Sequence, residues 1–424
     1  MDDNNRVFTN GSCVGCNRCV LICPCDEANV ARMSEGRNIV YVDGQKCIAC
    51  GECLRACTHG ARDYADDTER FFADLGAGKE IPLIVAPAIR CNVPEWARLL
   101  GYLQSIGAGG AYDASYGADI CTWAYLRHIA GGGAEGLIAH PCPAVVNYIE
   151  RYVPESLNRL APVHSPAMCT AIYMNKYKGV LGDYAFLSPC ISKRDEFADP
   201  CAGGLVGYNV TFRKLMERLQ EMGADFRKSD PAGYDSPAHG LGSVFAAPGG
   251  LRANVEHHAG GQWIFQVEGQ PRAARFLHEY AGERGGAPFL VDILNCAGGC
   301  NTGPGACLTE SDGYAVGKAM HQVRAETAKP DFSAFDKELD FEDFRRGYTP
   351  KKIAPIFVDR HEMELAFASM GKPSHEDRLR DCRACGYHSC QEMAVALAKG
   401  INHADNCVDY IRGIAKQAAA GGES

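Results

Sequence analysis

Two cysteine runs near the front of the chain constrain its fold more than any other feature. The first is Cys13-x2-Cys16-x2-Cys19-x3-Cys23, followed by Pro24; the second is Cys47-x2-Cys50-x2-Cys53-x3-Cys57. Thiols two residues apart on one tight loop present three sulfurs to a common centre. The chain has 22 cysteines among 424 residues. Its start, MDDNNRVFTN, is acidic and polar and reads as neither a Sec-type nor a twin-arginine signal. A cytoplasmic location is therefore expected, and there a disulfide framework is not sustained. Cysteine at this density then points to metal.

Both runs have the spacing of the bacterial two-cluster ferredoxins, in which the fourth cysteine of each run ligates the other cluster. This resemblance implies one [4Fe–4S] cube on Cys13, Cys16, Cys19 and Cys57, and a second on Cys47, Cys50, Cys53 and Cys23. Zinc is the alternative, but it favours paired CxxC knuckles over such runs. Cys25 is left over and reads as a free buried thiol. Further on stands Cys382-x2-Cys385-x4-Cys390-x16-Cys407. It resembles the small four-cysteine [4Fe–4S] domain of several redox proteins, with zinc again the alternative. Cys390 opens a helix pattern, and Val408, Ile411, Ile414 and Ala418 recur at helical spacing in a terminal segment.

The middle of the chain alternates apolar strand-like runs with helical patterns, as in IPLIVAPAI (81–89), LIAHPCPAVVNYIERY (137–152) and YAFLSPCISKRDEF (184–197). GSVFAAPGGLRANV (242–255) and APFLVDILNCAGGCNTGPG (287–305) read the same way. Such alternation implies parallel sheets flanked by helices, with ligands at the carboxyl ends of the strands. The glycine-rich stretches GAGGAYDASYGAD and HIAGGGAEG read as tight turns near that site. The expected fold class is α/β: a two-lobed central domain with parallel or mixed sheets, a two-cluster ferredoxin-like front, and a small helical four-cysteine back. The expected boundaries are 1–66, 67–360 and 361–424.

Three strand ends carry cysteine: HPCPAVV, SPCISKRDE and NCAGGCNTGPG. With VAPAIR upstream, they resemble the three signatures of the [FeFe] hydrogenases, and the resemblance covers residues 1–345. It implies a cube on Cys142, Cys190, Cys296 and Cys300, with Cys300 bridging to a diiron subsite that carries CO, CN and azadithiolate. Together with the three accessory cubes this is the expected cofactor set. The resemblance makes Lys193 the charged donor to a cyanide. Pro87, Gly298 and Gly299 belong to loops around the cluster. Ser188 and Leu294 stand where family members carry methionine.

In fast family members two adjacent cysteines precede the proline of the first signature, and the first of them passes protons. Here that position is Pro141, which has no side-chain proton and no N–H. Offsets from the same anchors place Ala124 and Ala161 where a glutamate and a serine are expected; Glu196 persists. Cys169, His140, His164 and Glu196 are candidates for a rerouted path, Cys169 and Glu196 first. Cys91, Cys121, Cys201 and Cys307 read as small buried apolar residues, Cys307 with a lesser claim on the cluster pocket. The pattern resembles the sensory [FeFe] hydrogenases, many of which add a PAS domain. That leaves open a shortened chain, a subgroup without PAS, or a separate output partner.

The expected function is a slow hydrogenase that senses hydrogen or redox state. A bidirectional ferredoxin-coupled hydrogenase and a non-enzymatic iron–sulfur assembly or relay protein are the alternatives. Expected partners are H2 and protons, a ferredoxin-like redox protein, a signalling output protein and maturation enzymes; a homodimer stays open. The net charge of −9 argues against nucleic acid. No apolar run suggests a membrane span, and no dinucleotide fingerprint suggests NAD or flavin.

Overall fold

The computed structural model describes residues 6–25, 27–132, 136–139, 141–283, 285–327, 331–354 and 356–421. The chain divides into two compact units: Met1–Ala65 with Ile353–Ser424, and Asp66–Lys352. Among the described residues no helix is long and apolar enough to cross a membrane.

In the first unit, strand β1 (Val7–Thr9) and strands β2 (Asn29–Ser34), β3 (Arg37–Val42) and β4 (Arg62–Tyr64) form two small antiparallel pairs, β1 with β4 and β2 with β3. The β2–β3 hairpin turns through Glu35 and Gly36, both at positive φ, which matches the twist of the paired strands. The back segment packs on this hairpin. The Ala31 amide donates to the Ile401 carbonyl at 2.9 Å, and Lys399 pairs with Glu27 at 2.6 Å. Helices Arg360–Ser369 and Cys390–Ala398 enclose a small core of Phe367, Met370, Met393 and Ala394. The terminal segment is helical from Val408 to Gly421; the Ala418 side chain lies outside the described residues.

The second unit holds two parallel sheets. β5 (Ile81–Val85), β6 (Ala108–Asp113), β8 (Tyr184–Ser188) and β9 (Val206–Thr211) form one, in the order β6-β5-β8-β9. β7 (Leu137–Ala139), β10 (Ile264–Glu268) and β11 (Leu290–Leu294) form the other, in the order β10-β11-β7. β5, β7, β8 and β11 are buried along their whole length, so they read as unbroken apolar runs.

Two expectations fail here. The stretch 107–119 is not a tight turn: it is β6 followed by the start of the helix Ala114–Ala130, capped by Asp113 accepting from the Ser115 amide. Gly107, at φ +109°, closes the turn before β6, while Gly109 and Gly110 lie in the edge strand and Gly117 serves close packing. The stretch 242–255 contains no strand: a 3-10 turn, Leu241–Val244, leads to the helix Gly250–His258. Its small residues sit against the helix Ala114–Ala130, where buried Asp119 accepts from the Gly240 and Gly242 amides. Of HIAGGGAEG, residues 128–130 close that helix and 133–135 lie outside the described residues.

Helices Ala114–Ala130 and Pro166–Ile172 touch at Gly117, where an added Cβ would fall onto the Pro166 carbonyl and the Thr170 side chain. Glycine to alanine inside a helix ordinarily gains up to about 1 kcal/mol. Gly117→Ala should instead lose about 1–3 kcal/mol through overpacking, read as a lower denaturant midpoint.

Candidate metal centre

The carboxyl ends of both parallel sheets face one cavity. β7 delivers Cys142, β8 delivers Cys190, and β11 delivers Cys296 and Cys300; all four line the cavity. Pro143 opens the helix Pro143–Tyr152 directly after Cys142, a position suited to its fixed φ. The Cys190 amide donates to Ser188 Oγ at 2.9 Å, and the Cys190 carbonyl accepts from Asn209 Nδ2 at 2.9 Å. The Cys300 amide donates to the Ala246 carbonyl at 2.8 Å, and the Gly305 amide ties the third loop to the Pro189 carbonyl at 2.9 Å. Asp119 anchors the start of the segment that supplies Ala246, so a buried carboxylate on one helix helps set Cys300.

Burial dominates the electrostatics of Cys142, Cys190 and Cys300. It pushes Cys190 up to about 12 and Cys300 well above its ordinary value, and neighbouring sulfurs add to both. Cys142 is also raised by burial and by Cys296, against the Asn295, Val145 and Ala144 amides that face its sulfur. Thiols held this way shed their protons only to a metal. An apolar pocket, four soft donors and amides aimed at sulfur fit an iron–sulfur cluster.

Lys193 lines the same cavity and is almost wholly buried. Its Nζ donates to Glu196 Oε2 at 2.5 Å and to Ser165 Oγ at 2.8 Å. Glu196 also meets Arg346 at 3.4 Å, and Arg346 meets Asp199 at 3.7 Å. Burial opposes ionisation of Glu196, but Lys193 and Arg346 outweigh it and hold the carboxyl below its ordinary value. Sequence reasoning missed Ser165, Asp199 and Arg346; nothing in their spacing marks them.

Of the other expected site residues, Pro87 and Leu294 line the cavity. Ser188, Gly298, Gly299, Pro141 and Cys169 are not brought to its wall. Ser188 turns back onto the Cys190 amide. Gly299, at φ +70°, lets the third loop press on the Ala246–Pro248 segment, and Gly298 faces Thr302. The Cys169 thiol is fully buried and donates to the His164 carbonyl at 3.3 Å, an acceptor it shares with Cys121. His164 is buried, and desolvation with Arg346 nearby lowers it to about 4. Ala124 and Ala161 lie in the apolar core, and His140 lies outside the described residues. Cys201 and Cys307 are exposed, against expectation, because each sits in a surface turn; Cys121 is buried as expected.

In the first unit, burial raises the Cys50 thiol, and Cys23, Cys53 and Cys47 add to it. Burial likewise raises Cys19, with smaller contributions from Cys13 and Cys16. At Cys57 burial is outweighed by the His59, Ala61 and Arg62 amides, and the thiol is lowered. Cys25 is buried near Cys23, Cys50 and Cys47. Cys382, Cys385, Cys390 and Cys407 line a smaller cavity with buried Lys372, which pairs with Asp409 at 2.6 Å. Among the described residues no three His, Cys, Asp or Glu side chains close on a point as ligands of a single ion.

Three family models match. "Iron only hydrogenase large subunit, C-terminal domain" covers residues 79–263, "4Fe-4S dicluster domain" 12–61, and "Putative Fe-S cluster" 380–408. The fold is that of the hydrogenase H-cluster domain, preceded by a ferredoxin-like domain and followed by an iron–sulfur segment. Among individual proteins, the chain is 25% identical over 292 residues to iron hydrogenase 1 of Clostridium pasteurianum, covering 52% of this chain and 51% of the relative. It is 46% identical over 40 residues to the benzylsuccinate synthase activating enzyme of Thauera aromatica, 9% of this chain and 12% of that one. The chain thus spans about half the length, or less, of these curated relatives. Structures of [FeFe]-hydrogenase HydA1 from Chlamydomonas reinhardtii superpose with TM-scores of 0.52 and 0.53 at 15% identity, covering 68% of this chain and 100% of theirs.

Removing the negative charge between two buried cations should be costly. Glu196→Gln is expected to lose about 3–5 kcal/mol in chemical denaturation. Lys193→Met combined with Glu196→Gln should lose less than Glu196→Gln alone, because fewer charges then stay unpaired.

Proposed function

We propose that this chain is a low-turnover [FeFe] hydrogenase that serves as a sensor of hydrogen or redox state. The observation that carries the reading is one cavity lined by Cys142, Cys190, Cys296, Cys300 and Lys193, with Pro141, Ala124 and Ala161 at the positions of the expected proton relay. The four thiolates would hold a cube with its diiron subsite, which when bound supplies the centre that interconverts H2 with two protons and two electrons. The front runs and the back four-cysteine segment would hold three accessory cubes.

The chain's own residues then act in stated ways. Alanine, proline, phenylalanine and leucine walls exclude water. Lys193 keeps a third N–H free of its two bonds to Glu196 and Ser165, available to an anionic ligand in the cavity. Pro141 offers no proton beside Cys142. Glu196 is a poor substitute: it lies between two cations that favour its ionised form, and Arg346 behind it cannot give up a proton. The Cys169 thiol is turned to the His164 carbonyl. Acid–base positioning contributes about 10²–10⁴ in rate, so the expected consequence is binding of hydrogen with slow turnover.

Electrons would leave through the accessory cubes to a ferredoxin-like or signalling partner. The test is an infrared spectrum of the fully maturated protein under hydrogen and under argon, with turnover assayed in both directions. Carbonyl and cyanide bands that change with hydrogen, at turnover roughly 10²-fold or more below that of a relay-intact hydrogenase, are expected. Fast turnover both ways would favour the bidirectional enzyme. Absence of the bands from maturated protein would leave an iron–sulfur relay or assembly protein.

A further inference from the structure

Among the described residues, the buried lysines and arginines follow a rule with one exception. Lys193 and Arg346 pair with Glu196, and Lys372 pairs with Asp409. Arg62 is buried to 8% exposure, yet no carboxylate pairs with it among the described residues. It stands at the start of β4, opposite Thr9 of β1. One arm of its guanidinium, Nη2, donates to Cys19 Sγ at 3.0 Å and to Asn29 Oδ1 at 2.7 Å. Asn29 in turn donates to the Cys19 carbonyl at 3.1 Å, which fixes the arm. The other arm, Nη1, is buried without a hydrogen-bond partner. The sulfurs that act on this charge are Cys19 and Cys13 of the first run and Cys53 of the second.

A buried guanidinium that lacks a counter-ion is strongly disfavoured. Here sulfur takes the place of the carboxylate. We infer that Arg62 is a fixed cation set between the two front clusters, whose negative charge it balances and whose one-electron reduction it favours. This rests on the reading that the front runs hold [4Fe–4S] cubes. A cube ligated by four thiolates is anionic, and the electron it accepts adds one more negative charge. Net charge and hydrogen bonds to the sulfurs are established levers on cluster potential, and Arg62 supplies both. The effect on the chain is directional: an electron arriving at the front unit is held there more firmly than a ferredoxin-like pair without this cation would hold it.

The test is a potentiometric titration of the full chain, reconstituted with iron and sulfide and followed by EPR, with iron counted beside it. Arg62→Gln should keep its iron and lower the midpoint of a front cube. At the wild-type midpoint its reduced-to-oxidised ratio should fall about tenfold, equivalent to about 59 mV for one electron. Arg62→Lys, which keeps the charge, should stay near the wild type. A fully loaded Arg62→Gln protein with an unmoved midpoint overturns the proposal, as does Arg62→Lys shifting as far as Arg62→Gln. If Arg62→Gln binds no front-run iron, Arg62→Lys decides: loading at a wild-type midpoint supports the charge, and a second failure to load overturns it. Wild-type protein without front-run iron would sink the cluster reading itself, and the proposal with it.

Discussion

Desolvated sulfur is the constraint on which this structure turns. Four thiols from three loops are driven together at the ends of two parallel sheets, in a cavity whose walls are almost wholly apolar. Burial makes the ionised forms of Cys142, Cys190 and Cys300 unfavourable, so as free thiols these three are inert. The arrangement makes chemical sense only toward a centre that takes the protons' place. The rest of the second unit follows from holding these loops still. Each one begins at the end of a fully buried strand, and hydrogen bonds between loops, such as Gly305 to Pro189 and Cys300 to Ala246, fix their spacing.

How cations are handled separates the three cysteine groups. At the central cavity, Lys193 comes with its own carboxylate, and that carboxylate is shared with Arg346. At the back, Lys372 comes with Asp409. These pairs are complete before any metal binds. At the front, Arg62 reaches only sulfur and an amide. The front site is thus electrostatically incomplete as protein alone, which is why it carries the stronger inference about its contents.

Much of this was legible in the sequence, because cysteine spacing and buried parallel strands both leave local signatures. Strands at 81–85, 137–139, 184–188 and 290–294 read directly, and so did the helices after Cys142 and Cys390. The failures have physical causes. β6, AGGAYD, has the composition of a turn and becomes a strand because it pairs with β5. The segment around 242 has the pattern of a strand but is claimed by Asp119 and the helix behind it. The Ser188 hydroxyl accepts from the Cys190 amide two residues on, a local bond that its position in the sequence does not announce. Arg62 and Arg346 carry no motif, since a buried cation is recognised only by what the fold packs around it.

Glu196 shows how a buried carboxylate becomes committed to the cations around it. A proton shuttle works best when its pKa lies near the working pH. Glu196 is fully enclosed, which by itself would raise it toward that range, but Lys193 and Arg346 together pull it the other way. Its lone pairs are engaged by the ammonium on one side and the guanidinium on the other. The more it stabilises Lys193 at the cavity wall, the less readily it accepts a proton from within. The same carboxylate cannot serve both ends well, and the geometry favours the counter-ion.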